Sequence, residues 1–409
     1  MDMERAERDA KLLLELLPDN EFLEQRLEKV TEANESNKVS QSVVYISKYL
    51  EKHNEINKIP DLLKAVPSEI QQEKFVSEMK HRFLPPRVWG DNEIAILCGP
   101  GFEQWSPKSI ETGLGGSEEA VVYLSQELNK LGWKVTVFAS PSKEDEGDHD
   151  GVLYKQYHDI NINDKFNVLI LWRSIGFVDF SPKAKFTMVW MHDMPQNPDF
   201  TQQRLGKVDK IAVMSEFHKA QFRMSLSDGS FVEIPEEKMF VTSNGINFLP
   251  PSPDIKRNLH KMIFASSPDR GLVYLLKNWE AIRKEVPDAE LDIYYGFNVY
   301  DAIHGNNPAR MAWKAKILEM MKQEGITYKD RVGHKELADA YAAAGVWAYP
   351  TDFTEISCIS AMKAQAYGAI PIVTNFAALK ETVKNGVKVD VDIKTTKGQV
   401  DYVHDLVAA

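Results

Sequence analysis

Short apolar runs alternate with amphipathic helical stretches from about residue 86 to the C-terminus, which predicts an α/β chain with two Rossmann-like, doubly wound parallel sheets. Two more observations set the arrangement. Pro250, Pro251 and Pro253 cut the alternation into two consecutive series, implying two halves joined by a hinge and facing a cleft. Residues 1–85 carry helical periodicity only, so a helical N-terminal extension precedes the halves. The expected division is therefore 1–85, 86–250 and 251–409. A length of 409 residues fits it, since that exceeds one ordinary domain.

In the extension, Leu12, Leu13, Leu16, Leu17, Phe22, Leu23, Leu27 and Val30 recur at three-to-four spacing. Val43, Val44, Ile46, Tyr49 and Leu50 repeat it, as do Ile70, Phe75, Val76 and Met79. Each helix thus gains one apolar face, and Pro18, the polar run 34–38 and Pro60 break the pattern. No catalytic constellation occurs there; the segment reads as a cap or as an arm for self-association. The first half predicts strands at Glu93–Cys98, Lys134–Ala139, Asn167–Trp172, Phe186–His192, Lys210–Ser215 and Met239–Ser243, with a helix over Gly116–Leu131. The second predicts strands at Met262–Ser266, Leu291–Tyr295, Val346–Pro350 and Ile370–Thr374. Its helices are expected over Val273–Val286, Arg310–Glu324 and Ser360–Ala366. The acidic stretch Lys143–Asp150 reads as a solvated turn.

Composition excludes several classes. A net charge of −11 disfavours a general nucleic-acid or anionic-membrane binder. Only two cysteines occur, Cys98 and Cys358, far apart and without ligand spacing, which excludes a zinc ribbon or disulfide framework and fits a reducing cytosol. No apolar run reaches the roughly 18 residues of a membrane span. The opening MDMERAERDAK is charged at once and is no secretory signal, so a cytoplasmic protein is expected.

Four segments carry chemistry. In GLGGSEEAVVYLSQEL (113–128), Gly115 and Gly116 permit close backbone approach, and Ser117 reads as the helix N-cap with Glu119 early in the helix. Such a helix start can receive a phosphate or a hydroxyl, although glycines serve any tight turn between strand and helix. The spacing is not G-x-G-x-x-G, and no acid ends the second strand at Ala139-Ser140, so a nicotinamide dinucleotide is disfavoured. In MVWMHDMP, His192 ends a strand and Arg173 ends its neighbour, both at the expected ligand rim. In FASSPDRGL, Arg270, with Lys277 beyond it, flanks a helix start that Ser266, Ser267 or Asp269 can cap. A guanidinium fork there suits a diphosphate, against the alternative of a surface ion pair.

The most informative segment is YPTDFTEISCISAMKAQAYGAIPIVTNFAALKE (349–381). Glu355 follows a strand and precedes a helix whose first N–H groups come from Ile356, Ser357 and Cys358, and Ala378 and Leu379 open a further helix. One acid beside free N–H groups at a strand's carboxyl end suits an anionic, hydroxyl-rich ligand, for which a nucleotide sugar is the obvious candidate; simple capping by Glu355 is the alternative. Asp148–Asp150 and Asp390–Asp392 read as surface loops, so neither a metal nor another cofactor is expected. A G-x-S-x-G elbow, a Walker A loop and an H-E-x-x-H pair are absent.

Together these residues resemble a retaining glycosyltransferase of the GT-B fold, close to the family-4 group (glycosyl transferases group 1), from about Glu93 to Val389. The resemblance implies that the first half receives the acceptor and the second the donor. It makes His192 of MHD and Glu355 the catalytic pair. It assigns Arg270, Lys277, Gly116, Ala378 and Leu379 to the donor diphosphate, Ile356, Ser357 and Cys358 to the donor sugar, and Gly115 and Arg173 to the acceptor side. SEFHK (215–219) and SNGIN (243–247) resemble the family's turns, with Asn247 at the usual Asp. The family's second glutamate, which contacts the ribose, falls at a position that holds Lys363. Its C-terminal helix, which crosses back onto the first half, has only Val400–Val407 available.

The activity so implied moves a sugar from a nucleoside diphosphate sugar to a hydroxyl of a glycan, lipid or small molecule, with retention and without a metal. Two alternatives stay open: a sugar-nucleotide 2-epimerase on the same fold, and a non-catalytic nucleotide-sugar-binding scaffold.

Overall fold

The computed structural model describes residues 11, 21–67, 70, 74–195, 199–222, 224–225, 231–232 and 234–409. The leucines at 12–17 and Pro18 lie outside them. The chain forms two compact units, one of Met1–Trp89 with His158–Lys165, the other of Gly90–Tyr157 with Phe166–Ala409.

The first unit is helical, with helices Glu21–Lys52, Ile59–Ala65 and Lys74–Phe83. The apolar periodicity has its physical outcome in a small core of Val43, Ile59, Leu63, Val66, Ile70 and Val76. Pro60 stands in the first turn of its helix, where its missing N–H costs nothing. The unit reaches beyond residue 85 because a distant segment joins it. Asp164 accepts from the Trp89 indole at 2.9 Å and from the Arg87 N–H at 2.7 Å. The buried Lys80 ammonium pairs with Asp159 at 3.0 Å.

The second unit holds both sheets. The first comprises β1 (Glu93–Leu97), β2 (Lys134–Ala139), β3 (Gly147–His149), β4 (Val152–Gln156), β5 (Lys165–Trp172), β6 (Lys183–Trp190), β7 (Lys210–Val213) and, after the hairpin β8 (Met224–Ser225) and β9 (Phe231–Val232), β10 (Met239–Val241). Its order is β10-β7-β6-β5-β1-β2-β4-β3. The stretch expected to be a solvated turn supplies β3, which pairs antiparallel with β4 and closes one edge. The second sheet comprises β11 (Asn258–Ala265), β12 (Glu290–Tyr294), β13 (Ile326–Asp330), β14 (Ala344–Tyr349), β15 (Ile370–Thr374) and β16 (Val387–Val389), in the order β13-β12-β11-β14-β15-β16. All its pairings are parallel. The α/β reading with two parallel-sheet halves therefore holds.

Trp279, Trp347, Tyr341 and Phe264 are fully buried in the core around the second sheet. Burying each such side chain contributes roughly 1.5–3 kcal/mol. The helix expected over Val273–Val286 is two helices, Leu272–Lys277 and Trp279–Glu285. Asn278 separates them by turning its amide onto the Tyr274 carbonyl at 2.8 Å, a local bond that competes with the helix. The C-terminal helix runs over Thr396–Ala408 and lies on the second sheet, where Tyr402 donates to the Ile372 carbonyl at 2.5 Å. It does not cross to the first lobe.

The linker after β10 is fastened to the second lobe: Tyr367 bonds both the N–H and the carbonyl of Leu249, and Asp339 accepts from the N–H and hydroxyl of Ser252. The lobes also meet directly. Arg331 pairs with Glu103 through two bonds of 2.6 and 2.8 Å, and Glu381 accepts from the Glu216 and Phe217 N–H groups at a helix start of the first lobe. Among the described residues no helix is long and apolar enough to cross a membrane.

Candidate active site

The carboxyl ends of the two sheets open onto one crevice of about 300 Å³. Residues of the first lobe that line it include Gly115, Gly116, Glu118, Arg173, His192 and Asn244; those of the second include Arg270, Tyr295 and the loop 353–360. Two helices, Gly116–Lys130 and Ile359–Tyr367, begin at its walls. Their first N–H groups have no intrahelical partners, and the helix dipoles favour negative charge at that end.

Glu355 is set by the strand–loop–helix order of its segment. β14 ends at Tyr349, and Thr374 clamps the following turn by accepting from the Thr351 N–H and donating to its carbonyl. The Glu355 carbonyl then accepts from the Ala378 N–H at 3.0 Å. Glu355 is only 6% exposed, and its carboxylate takes a 2.6 Å bond from the Tyr349 hydroxyl. Burial, followed by the Glu355 charge, pushes the Tyr349 phenol well up, so it stays protonated and donating. Arg270 Nη1 stands 3.5 Å from the same Glu355 oxygen, and its guanidinium lies 4.0 Å from the Phe353 ring centroid. Burial alone would lower the Arg270 pKa, but Glu355, together with Tyr349, Tyr295 and Asp269, more than offsets it and the net direction is upward. A fixed cation and a fixed acid therefore stand side by side in the second lobe.

Arg270 owes its place to the next residue. Gly271 caps the Leu272–Lys277 helix at φ +108°, and a Cβ there would lie 2.2 Å from the Pro350 carbonyl oxygen. We expect Gly271→Ala to lower unfolding free energy by about 1–3 kcal/mol in urea titration. A loss below about 0.5 kcal/mol would show that this backbone yields.

His192 faces the crevice from the first lobe. Its ring packs edge-on against Trp190 at 4.4 Å, and its buried Nε2 has no hydrogen-bond partner among the described residues. Burial first, then the Arg173 cation and His218, lowers its pKa to about 3. Burial likewise lowers buried His218 to about 4, against the opposing pull of the Asp193 carbonyl. Both rings are neutral at pH 7. The unfolded chain takes up protons below about pH 6.5 that the folded chain refuses, so stability is full above that pH and falls as acid is added. Each ring contributes up to about 1.4 kcal/mol per pH unit between its folded and unfolded values. Urea midpoints measured from pH 7 to 4.5 should fall, and fall less steeply in His192→Gln; an unchanged slope would contradict a neutral His192.

Solved structures share this architecture. Sucrose-phosphate synthase (tll1590) from Thermosynechococcus elongatus matches with a TM-score of 0.56 over 78% of this chain and 90% of that one, at 16% identity. A glycosyltransferase from Rickettsia africae ESF-5 matches at 0.52 over 79% and 89%, with 13% identity. The apo structure of OtsA matches at 0.50 over 78% and 90%, with 11% identity. The fold is GT-B. No family model matches the sequence, and no curated protein does. At these identities the likeness establishes the fold.

The GT-B crevice gathers most of the residues singled out from the sequence, namely His192, Glu355, Arg270, Gly115, Gly116, Arg173, Ile356, Ser357 and Cys358. It leaves out three. Lys277 ends its helix, exposed, a full helix length from Arg270. Ala378 and Leu379 are buried, and their N–H groups are already bonded to the carbonyls of Glu355 and Phe376. Arg173 lines the wall, but Asp193 holds two of its nitrogens and Glu118 lies 3.5 Å from a third. The helix starts at Gly116 as expected, but its N-cap is Gly115, two residues before Ser117, and a Cβ on Gly116 would lie 3.3 Å from Ile359 of the other lobe. Ser266, Ser267 and Asp269 do not cap the Leu272 helix; Ser267 turns to Asp269 instead.

Tyr349, Asn244, Tyr295 and Glu118 belong to the site without having been found by sequence. Glu118 had the nearest signal, as the first of two acids in a helix's opening turn. Burial raises its pKa against the pull of Arg173. Asn244 donates to the Ser357 carbonyl at 3.1 Å across the GT-B lobes, while its buried Oδ1 has no partner among the described residues.

Proposed function

We propose that this protein transfers a sugar from a nucleoside diphosphate sugar to an acceptor hydroxyl, with retention at the anomeric carbon. The observation that carries the reading is the convergence of Arg270 and Glu355 from one lobe and His192 from the other on a single crevice, between two helix starts. An anion and a set of hydroxyls are what such walls recognise.

In this reading Arg270 and the start of the Ile359–Tyr367 helix hold the diphosphate. As the bond from the anomeric carbon to the phosphate oxygen breaks, charge grows on that oxygen, and a pre-placed guanidinium stabilises it without reorganising. Glu355, fixed by Tyr349, orients sugar hydroxyls together with the backbone of Ile356–Cys358. His192 Nε2, neutral and unpartnered, bonds a sugar hydroxyl from the opposite wall. The acceptor enters past Gly115, Gly116 and Arg173. Its oxygen bonds to the anomeric carbon on the face the phosphate leaves, and its proton passes to the departing phosphate oxygen. Charge is balanced by the chain's own groups, and the scheme calls for no metal.

The test is a panel of UDP-, GDP- and ADP-sugars, scored for binding by calorimetry and for released nucleoside diphosphate with mixed acceptors. Donor-dependent release supports transfer. Binding without release would make the chain a nucleotide-sugar-binding protein, and an isomerised free donor would make it an epimerase.

A further inference from the structure

The crevice is polar where it is buried and apolar where it meets water. His192 and Glu355 are buried in its walls, with Glu118, Arg173 and Arg270 beside them. The same crevice is lined by Phe102 and Met194 of the first lobe and by Val299, Ile303 and Phe353 of the second. Phe102 is 64% exposed, Ile303 47% and Phe353 40%. An apolar side chain exposed singly is ordinary, but several bordering one cleft mark a surface that binds something.

These side chains are held where they are. The loop carrying Phe102 is fastened on both sides of it. The Gly101 N–H donates to Ser140 Oγ at 3.2 Å, and Glu103 takes two bonds from Arg331. The turn is tight as well, since a Cβ on Gly101 would lie 2.8 Å from the Glu103 carbonyl oxygen. On the second lobe, Val299 and Ile303 are four apart in the helix Asn298–His304 and so share one face. Another face anchors that helix. Tyr300 is buried there against Phe297 and donates to the Arg310 carbonyl at 3.0 Å, while Asp301 pairs with Lys314 at 2.6 Å. The core therefore leaves the exposed Ile303 uncovered.

A nucleoside diphosphate sugar is polar throughout its diphosphate and sugar, and it has no alkyl part to lay on this lip. The second substrate is the one that can. The lip draws on both lobes, and Met194, Val299 and Ile303 are thioether or aliphatic, so an extended chain suits it better than one compact ring.

We propose that the acceptor is an amphiphile, with its hydroxyl-bearing head in the polar interior and an alkyl chain lying outward over Phe102, Val299 and Ile303. The inference rests on the sugar-transfer reading of the crevice and names the class of its acceptor. Phe102 and Ile303 become specificity-determining residues that touch the chain, away from the reacting atoms.

The test is calorimetry on the full chain, saturated with whichever of UDP, GDP and ADP binds it most tightly. The titrants are methyl, butyl, octyl and phenyl glucoside, kept below the micelle concentration of the octyl compound. Each methylene leaving water adds roughly fourfold in affinity, so octyl glucoside should bind about tenfold or more tighter than methyl glucoside, with butyl between. Phe102→Ser and Ile303→Ser, both at exposed positions, should each cut that ratio to about threefold or less, with thermal unfolding to verify the fold. No rise along the series, or a rise preserved in either folded variant, overturns the alkyl subsite and leaves the sugar-transfer reading standing. Phenyl glucoside binding as tightly as octyl does the same, because the lip would then hold a ring. A wild type that binds no nucleoside diphosphate overturns the donor reading and this inference with it.

Discussion

If the chain transfers sugars as proposed, Glu355→Gln should lower turnover by about 100-fold or more, while the unfolding midpoint stays close to that of the parent. The amide keeps the shape of the side chain and can still accept from Tyr349, which bonds the carboxylate at 2.6 Å. What it loses is the charge facing Arg270, 3.5 Å away, and the strong acceptor offered to sugar hydroxyls. Glu355→Ala should lose turnover equally but also stability. It strips the buried Tyr349 hydroxyl of its shortest bond, leaving Ser266 at 3.3 Å, and an unsatisfied buried group costs about 1–3 kcal/mol. Turnover and urea unfolding of the two variants side by side separate chemistry from folding. Near-parental turnover in the Gln variant would remove Glu355 from the reacting centre.

Arg270→Met is the second large effect, with kcat/KM for the donor falling by about 10²–10³-fold. Methionine keeps the unbranched stem over Phe353 and removes the cation. Arg270→Lys should recover only part of the loss, since an ammonium has no planar fork for two phosphate oxygens and stacks less well on the ring 4.0 Å away. The loss should grow with the charge of the leaving group and be smallest for assays of sugar binding alone. Steady-state kinetics across the three forms checks this, and equal rates for Arg and Met would place the leaving group elsewhere.

The strands buried on both faces were the legible part of the fold. β1, β2, β5, β14 and β15 read as continuous apolar runs because helices cover both sides. β4 (VLYKQ), β13 (ITYKD) and β16 (VKV) went unread, because at or next to a sheet edge half their side chains are polar. The reach of the helical unit to Trp89 and to 158–165 was equally hidden. It depends on bonds such as Asp164 to Trp89, between residues 75 apart in the chain.

For the site, residues tied to a local pattern were visible. Arg270, Glu355 and His192 each follow a strand, and strand ends meet at one edge of a parallel sheet. Residues placed by tertiary contact were not. Tyr349 closes an apolar strand and reads as core; nothing local says that its hydroxyl reaches Glu355. Glu118 and Glu119 are adjacent in sequence, yet the 100° step of a helix sends one to the crevice and the other to Lys363. Ala378 and Leu379 failed for the converse reason. Their N–H groups sit at a helix start, as expected, but the Glu355 loop and its neighbour already use them.

The most direct measurement is a structure of the protein with an intact nucleotide sugar, chosen by calorimetry. The diphosphate should lie against the Arg270 guanidinium and the start of the Ile359–Tyr367 helix, with the sugar between Glu355 and His192. A donor seated outside this crevice, with Glu355 and His192 on no common ligand, would contradict it.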